Sequence, residues 1–204
     1  MSESVFITGT DTGVGKTYVA VRLIQQYIAQ GYKVVGMKPV AAGCEMIDGI
    51  WQNEDVVKLM AASNVQAPRE WVNPYSFDAP IAPHIAAAQQ NVQIDVAKIQ
   101  QAYKELQGLA DIVIVEGAGG LLVPIDERRT MADIVLALNL PVVLVVNVKL
   151  GCINHTLLTA EALKARQIRL SGWVANVISP LECGEENIET LAKWLGMPPL
   201  ILPV

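Results

Sequence analysis

The run Gly9-Thr10-Asp11-Thr12-Gly13-Val14-Gly15-Lys16-Thr17 follows a short apolar stretch and opens a segment of helical period. Glycines let the backbone curl until several amide N–H groups face one point, and the start of a helix adds positive potential there. Such a cradle suits phosphate oxygens, with Lys16 spaced to reach the outer phosphates and Thr17 to offer its hydroxyl to Mg2+. The spacing departs from the plain G-x-x-x-x-G-K-T form, because Thr10 occupies the first-glycine position and Gly9 lies one residue earlier. An ordinary glycine-rich turn has no need of Gly-Lys-Thr between a strand and a helix, so the run points to nucleoside triphosphate binding.

Residues suited to the same chemistry recur downstream. Glu116 ends the apolar run Asp111–Glu116 and precedes Gly117-Ala118-Gly119-Gly120. A carboxylate at the C-terminal end of a parallel strand lies at the ligand-binding edge of the sheet, where it can hold Mg2+ directly or through water. Asp55 reads first as favourable charge at a helix start. Lys38 ends another strand-like run in Lys38-Pro39-Val40 and is either a phosphate-directed cation or a surface lysine; with Lys16 it is expected at a solvent-facing site. Lys149-Leu150-Gly151-Cys152-Ile153-Asn154-His155 enters a helix after the most apolar run, which makes its amides a second anion cradle. Cys152 reads as a buried filler rather than a nucleophile, since no base is paired with it, and His155 as a packed or capping residue. His84 has no partner in the sequence.

Composition removes several function classes. Fifteen basic and twenty acidic residues give a net charge of −5, and Arg128-Arg129 directly follows Asp126-Glu127. The electrostatic footprint of a nucleic-acid binder is missing. Three scattered cysteines (Cys44, Cys152, Cys183) and two histidines argue against a Cys/His metal site. Glu3 stands where a signal peptide would carry basic residues. The oily stretch Ile134–Val146 is broken by Asn139 and Pro141 and falls short of the ~30 Å of a bilayer core. No membrane is implied, and the expected location is cytoplasmic.

The elements that must position these residues follow from periodicity. Short runs at Ser4–Thr8, Lys33–Lys38, Asp111–Glu116, Pro141–Asn147 and Leu170–Val177 are strand-like, and their cores are apolar at every position rather than alternately. Strands of that kind are covered on both faces, as in parallel α/β sheets. Helical period marks Lys16–Gln30, Glu54–Ala62, Asp95–Gly108, Met131–Leu138, Asn154–Arg166 and Gly184–Leu195, with Gly31 and Gly196 at expected C-caps. Prolines 68, 74, 80 and 83 exclude a long helix or central strand from Ala67 to Pro83, leaving an ordered excursion that lines a site or a plain surface connection. The alternation predicts a single α/β domain over 1–204, doubly wound around a mostly parallel sheet flanked by helices. Apolar residues make up 52% and charged residues 17%, against roughly 25% charged in an average domain, which suggests two-sided buried strands, a hydrophobic subunit interface, or both.

Gly9–Thr17, Lys38-Pro39-Val40, Glu116–Gly120 and Lys149–His155, in this order and at these intervals, closely resemble the dethiobiotin synthetase family. The resemblance runs from Val5 to about Asn176 and takes in Asn73-Pro74-Tyr75 and Ala82-Pro83-His84. It implies a P-loop NTPase that inserts CO2 between the two amines of 7,8-diaminononanoate, with MgATP consumed and dethiobiotin, ADP and phosphate released. By the resemblance, Lys16 neutralises the transferring phosphoryl group and Lys38 steadies a carbamate. Thr17, Asp55 and Glu116 form the Mg2+ set. Gly13, Val14, Gly15, Lys16, Thr17, Tyr18, Asp55, Glu116, Gly117, Ala118, Gly119 and Asn176 serve MgATP. Thr12, near the carbamate end, Lys38 and Ala42 contact the substrate, and Gly151, Cys152, Ile153 and Asn154 of a neighbouring subunit receive its tail carboxylate, so the site spans a homodimer.

The chain departs from that pattern in three places. Ala42 stands where relatives often carry a substrate-binding serine, which costs about 1 kcal/mol of binding. Gly13 stands where relatives often have glutamate. The chain stops at Val204, whereas relatives continue with a segment that helps hold the adenine. Two other readings share the P-loop. A partner-switching ATPase of the ParA/MinD type would carry a signature lysine where Asp11 stands. A paralogue that binds nucleotide without synthetase turnover would fit Ala42 and the short C-terminus. GTP specificity is disfavoured, because Asn147-Val148-Lys149-Leu150 lacks the Asn-Lys-x-Asp pattern.

Overall fold

A computed structural model describes residues 3–47, 49–178 and 184–202, so Cys183 and Val204 lie outside the described residues. In chain order the elements are β1 (Val5–Gly9), α1 (Lys16–Ala29), β2 (Val34–Met37), β3 (Val40–Ala42), β4 (Glu45–Ile47), β5 (Ile50–Gln52), α2 (Glu54–Ala62), α3 (Arg69–Val72), β6 (Tyr75–Phe77) and α4 (Pro83–Gln89). There follow α5 (Val96–Gln107), β7 (Ile112–Gly120), α6 (Met131–Leu138), β8 (Val142–Asn147), α7 (Cys152–Ala165), β9 (Leu170–Asn176) and α8 (Gly184–Leu195).

The main sheet has the order β2-β7-β1-β8-β9, with every pairing parallel. Successive side chains of a strand leave by opposite faces, and here both faces are covered. Val35, Met37, Val113 and Val115 pack on α5 and α6 through Ile99, Leu106, Ile134 and Val135. Val34, Ile112, Ile114 and Val143 pack on α1 and α2 through Val19, Ile24 and Leu59. The unbroken apolar runs are therefore the sequence form of two-sided burial. No helix among the described residues is long and apolar enough to cross a membrane.

Several boundaries differ from the periodicity. β7 does not stop at Glu116 but continues through the glycines to Gly120, which pairs with Gly9 after a register shift. Gly117 is forced by packing, because a Cβ there would lie 2.8 Å from the Phe6 ring. α7 starts at Cys152, two residues before the expected Asn154, with Gly151 as its N-cap. The proline-punctuated stretch holds the four-residue α3 and the three-residue β6, which pairs in parallel with β3. The small β4–β5 antiparallel hairpin has no counterpart in the sequence reading.

Candidate active site

The P-loop joins β1 to α1 at the C-terminal edge of the sheet. Gly15 is the N-cap of α1 at φ +90°, and no side chain caps the helix, which leaves its first amides open to an anion. A Cβ on Gly15 would meet the Asn176 amide nitrogen at 2.1 Å. Asn176, the last residue of β9, donates Nδ2–H to the Val14 carbonyl at 2.8 Å and so braces the loop. Lys16 folds back over the loop and donates to the Asp11 carbonyl at 3.0 Å. Burial, with the neighbouring Lys38 charge, lowers its pKa to about 8 against the opposing pull of Glu116, Asp55 and Asp11.

Opposite the loop, Lys38 lies just past β2 and is buried. Its Nζ donates to Glu116 Oε1 at 2.5 Å and to Asp55 Oδ2 at 2.9 Å. Burial alone would push the ammonium towards its neutral form, but the two carboxylates outweigh it and the pKa is raised. Asp55 shows the mirror effect: burial opposes its charge, and Lys38 overrides that to hold the carboxyl below its ordinary value. Asp55 sits in the first turn of α2, whose N-cap Asn53 accepts from the Asp55 and Val56 amides at 3.1 and 3.4 Å. Asp55 is thus both the helix-start acid and a member of the site.

The oxygens around Thr17 bear on the metal. Thr17 Oγ1 lies 2.7 Å from Asp55 Oδ1 and 2.9 Å from Glu116 Oε1, yet a hydroxyl has one proton and can serve only one of them. Glu116 Oε2 is buried with no hydrogen-bond partner. Carboxylate lone pairs left over by Lys38 and the single Thr17 proton are what a hard cation satisfies, and Mg2+ characteristically takes one or two carboxylates and leaves its other positions to water and phosphate. Thr17, Asp55 and Glu116 fit Mg2+.

One cavity of about 720 Å3 lies between the loop and these carboxylates, and Gly117 and Asn176 do not line it. Thr12, Gly13, Gly15, Lys16, Thr17, Tyr18, Lys38, Ala42, Asp55, Glu116, Ala118 and Gly119 all face it. Val14 is buried in the core beneath the loop. Gly151, Cys152, Ile153 and Asn154 do not line this cavity within one chain. Of them Cys152 is buried in apolar surroundings, as a filler would be, and Asn154 is exposed.

Two expectations need correction. Lys16 and Lys38 line the cavity but are themselves buried, at 7% and 4% exposure, rather than facing solvent. His155 is not packed but exposed on the first turn of α7. The excursion does line the site, through Pro80, Ile81, Ala82 and Pro83. The sequence reading missed Asn53, Lys58 and Val123 on the wall; an asparagine directly before the acidic pair Glu54-Asp55 was a readable N-cap signal for the first of them.

The chain is similar to known proteins in sequence and in fold. The sequence model of a family described as an AAA domain matches residues 3–201. Among solved structures, the MinC:MinD cell division protein complex of Aquifex aeolicus superposes with a TM-score of 0.57 at 15% identity, over 96% of this chain and 78% of that one. A ParA family ATPase from Chlorobium tepidum TLS gives 0.55 at 16% identity, over 96% and 82%. These likenesses are of fold. A Nitrosospira multiformis protein named ATP-dependent dethiobiotin synthetase BioD is 54% identical over 205 residues, covering 100% of this chain and 89% of the relative. With that identity along its whole length, the chain belongs to the family of ATP-dependent dethiobiotin synthetases.

Proposed function

We propose that the protein closes the ureido ring of dethiobiotin from 7,8-diaminononanoate, CO2 and MgATP. The observation that carries this reading is Lys38, an ammonium buried against two carboxylates at the end of a cavity whose other wall is a P-loop. A switch ATPase needs the loop; a cation fixed beside the phosphates suits a second anionic reactant.

One substrate amine adds to CO2 and loses a proton, giving a carbamate. Lys38 and Thr12 flank the position this anion would take, and Lys38 offsets its charge. A carbamate oxygen attacks the γ-phosphorus and ADP leaves, which forms a carbamic-phosphoric anhydride. The second amine attacks the carbamoyl carbon, loses a proton and expels phosphate as the ring closes. Phosphoryl transfer of this kind asks for alignment and charge neutralisation rather than covalent help. Lys16 supplies the cation for the transferring group once it leaves the Asp11 carbonyl. Mg2+ held by Thr17, Asp55 and Glu116 would neutralise charge on the phosphate oxygens. Asn176 Nδ2 is committed to the Val14 carbonyl, so a contact to the purine would fall to its Oδ1. By the family resemblance, the tail carboxylate would be received at Gly151–Asn154 of a second copy.

The test is ADP release with MgATP and bicarbonate, with and without the diamine, and identification of dethiobiotin by mass. Diamine-dependent ADP release matched by dethiobiotin supports the reading. ATP binding that the diamine leaves without turnover would sink it.

A further inference from the structure

The stretch Asn73-Pro74-Tyr75 carries no atom into the cavity, yet Asn73 is one of the few buried polar residues, at 6% exposure. Its amide is fully committed. Nδ2 donates to the main-chain carbonyls of Lys38 at 2.7 Å and of Tyr75 at 3.0 Å, and Oδ1 accepts from Ser76 Oγ at 2.5 Å. Carbonyls can only accept, so the amide has one orientation. β2 ends at Met37, which leaves Lys38 outside the main ladder. Its main-chain N–H donates instead to the Val72 carbonyl at 2.8 Å. Both polar groups of the Lys38 backbone are therefore held by the consecutive residues Val72 and Asn73. Pro39 further confines Lys38 to extended backbone. The clamp is itself anchored to α5, where the Asp95 amide donates to Tyr75 Oη at 2.8 Å and Lys98 Nζ donates to the Pro74 carbonyl at 3.1 Å.

We propose that Asn73 is a positioning residue of this site: by clamping the main chain at Lys38 it sets where the Lys38 ammonium stands relative to the P-loop. The role in turnover rests on the function proposed above; the clamp on Lys38 does not. A four-carbon side chain on an unpinned backbone would sample a wide arc, and misplacement of a reacting partner by about 1 Å costs about a hundredfold in rate.

The experiment compares wild type, Asn73→Ala and a substitution in the separate core beneath α8, Leu191→Val or Leu191→Ala, whichever matches the thermal midpoint of Asn73→Ala. Asn73→Ser replaces the alanine variant if the latter does not fold. Each protein is labelled briefly with acetic anhydride and the acetylation of Lys38 and Lys16 is read by mass spectrometry; kcat and KM are measured beside it. We expect Lys38 to label about tenfold faster in the Asn73 variant with Lys16 little changed, and kcat to fall about ten- to hundredfold with the KM for ATP nearly constant. Lys38 labelling and kcat equal to those of the matched core variant would overturn the proposal. If wild type shows no diamine-dependent turnover, the proposed function fails, and the labelling comparison alone still decides the role of Asn73.

Discussion

Lys38 Nζ and Glu116 Oε1 stand 2.5 Å apart with side chains only 5% and 1% exposed. A pair so thoroughly removed from water is barely screened by salt, and deleting one member leaves the other as an uncompensated buried charge. The pair has a second consequence. The lysine occupies the same two carboxylates, Glu116 and Asp55, that fit the metal.

Lys38→Met is therefore expected to destabilise the protein by about 3 kcal/mol, in contrast to the small effect that a solvent-facing lysine would have. It is also expected to bind Mn2+ more tightly than wild type in the absence of nucleotide, because the carboxylates lose their internal cation. Thermal melts with and without Mn2+, and a paramagnetic-resonance titration of free Mn2+, check both. An unchanged melting temperature, or weaker Mn2+ binding, would show that lysine and metal do not share these oxygens.

Lys16 predicts the opposite sign of stability change. Its pKa is about 8 in the folded protein and 10.5 in the unfolded chain. Below pH 8 both states carry the charge, and the folded state bears its burial. As pH rises from 8 to 10.5 the unfolded chain binds more protons, so stability from this group increases with pH; it is lost again as pH falls through 8. Lys16→Met should be more stable than wild type at pH 7, by up to ~3 kcal/mol, while losing turnover. The advantage should shrink towards pH 10. Denaturant melts of the two proteins across pH 7–10 test it, and a difference that does not vary with pH would refute the account.

The glycines of the P-loop separate by what surrounds them. Gly13 has φ +71° and nothing within 4 Å of an added Cβ, whereas Gly15 has φ +90° and the Asn176 amide at 2.1 Å. Gly13→Ala should cost only the strain of a left-handed backbone, about 1–2 kcal/mol, and keep ATP binding. Gly15→Ala should all but abolish it, because the bracing of Val14 by Asn176 is lost as well. Asn176→Ala combined with Gly15→Ala should recover part of the folding stability but not the binding. Calorimetric titration with MgADP distinguishes these outcomes.

The parts legible in the sequence were those with local signals. Ile112–Val115 and Val142–Val146 are apolar at every position because both faces of the sheet are covered, and the P-loop carries its spacing within nine residues. What stayed hidden depends on contacts between distant segments. Lys38 reads as either a surface lysine or a site cation because Glu116, which buries it, lies 78 residues away. Gly117 looks like loop and is strand because it faces the Phe6 ring. β3 and β6, at three residues each, are too short to show any period.

The cavity wall at Ala42 allows a gain rather than a loss to be predicted. Ala42 faces the cavity, and its carbonyl accepts from Asn53 Nδ2 at 3.1 Å. The backbone is thus already fixed by the residue that caps α2, and only the side chain lacks a polar group. Ala42→Ser adds a hydroxyl at a position held in place, so little ordering cost opposes the new bond. The KM for the diamine should fall about fivefold, matching the ~1 kcal/mol of a typical hydrogen bond, while kcat and the KM for ATP stay nearly constant. A fall in both KM values together would instead indicate that the hydroxyl acts on the α2 cap and through it on Asp55, and would remove Ala42 from the substrate wall.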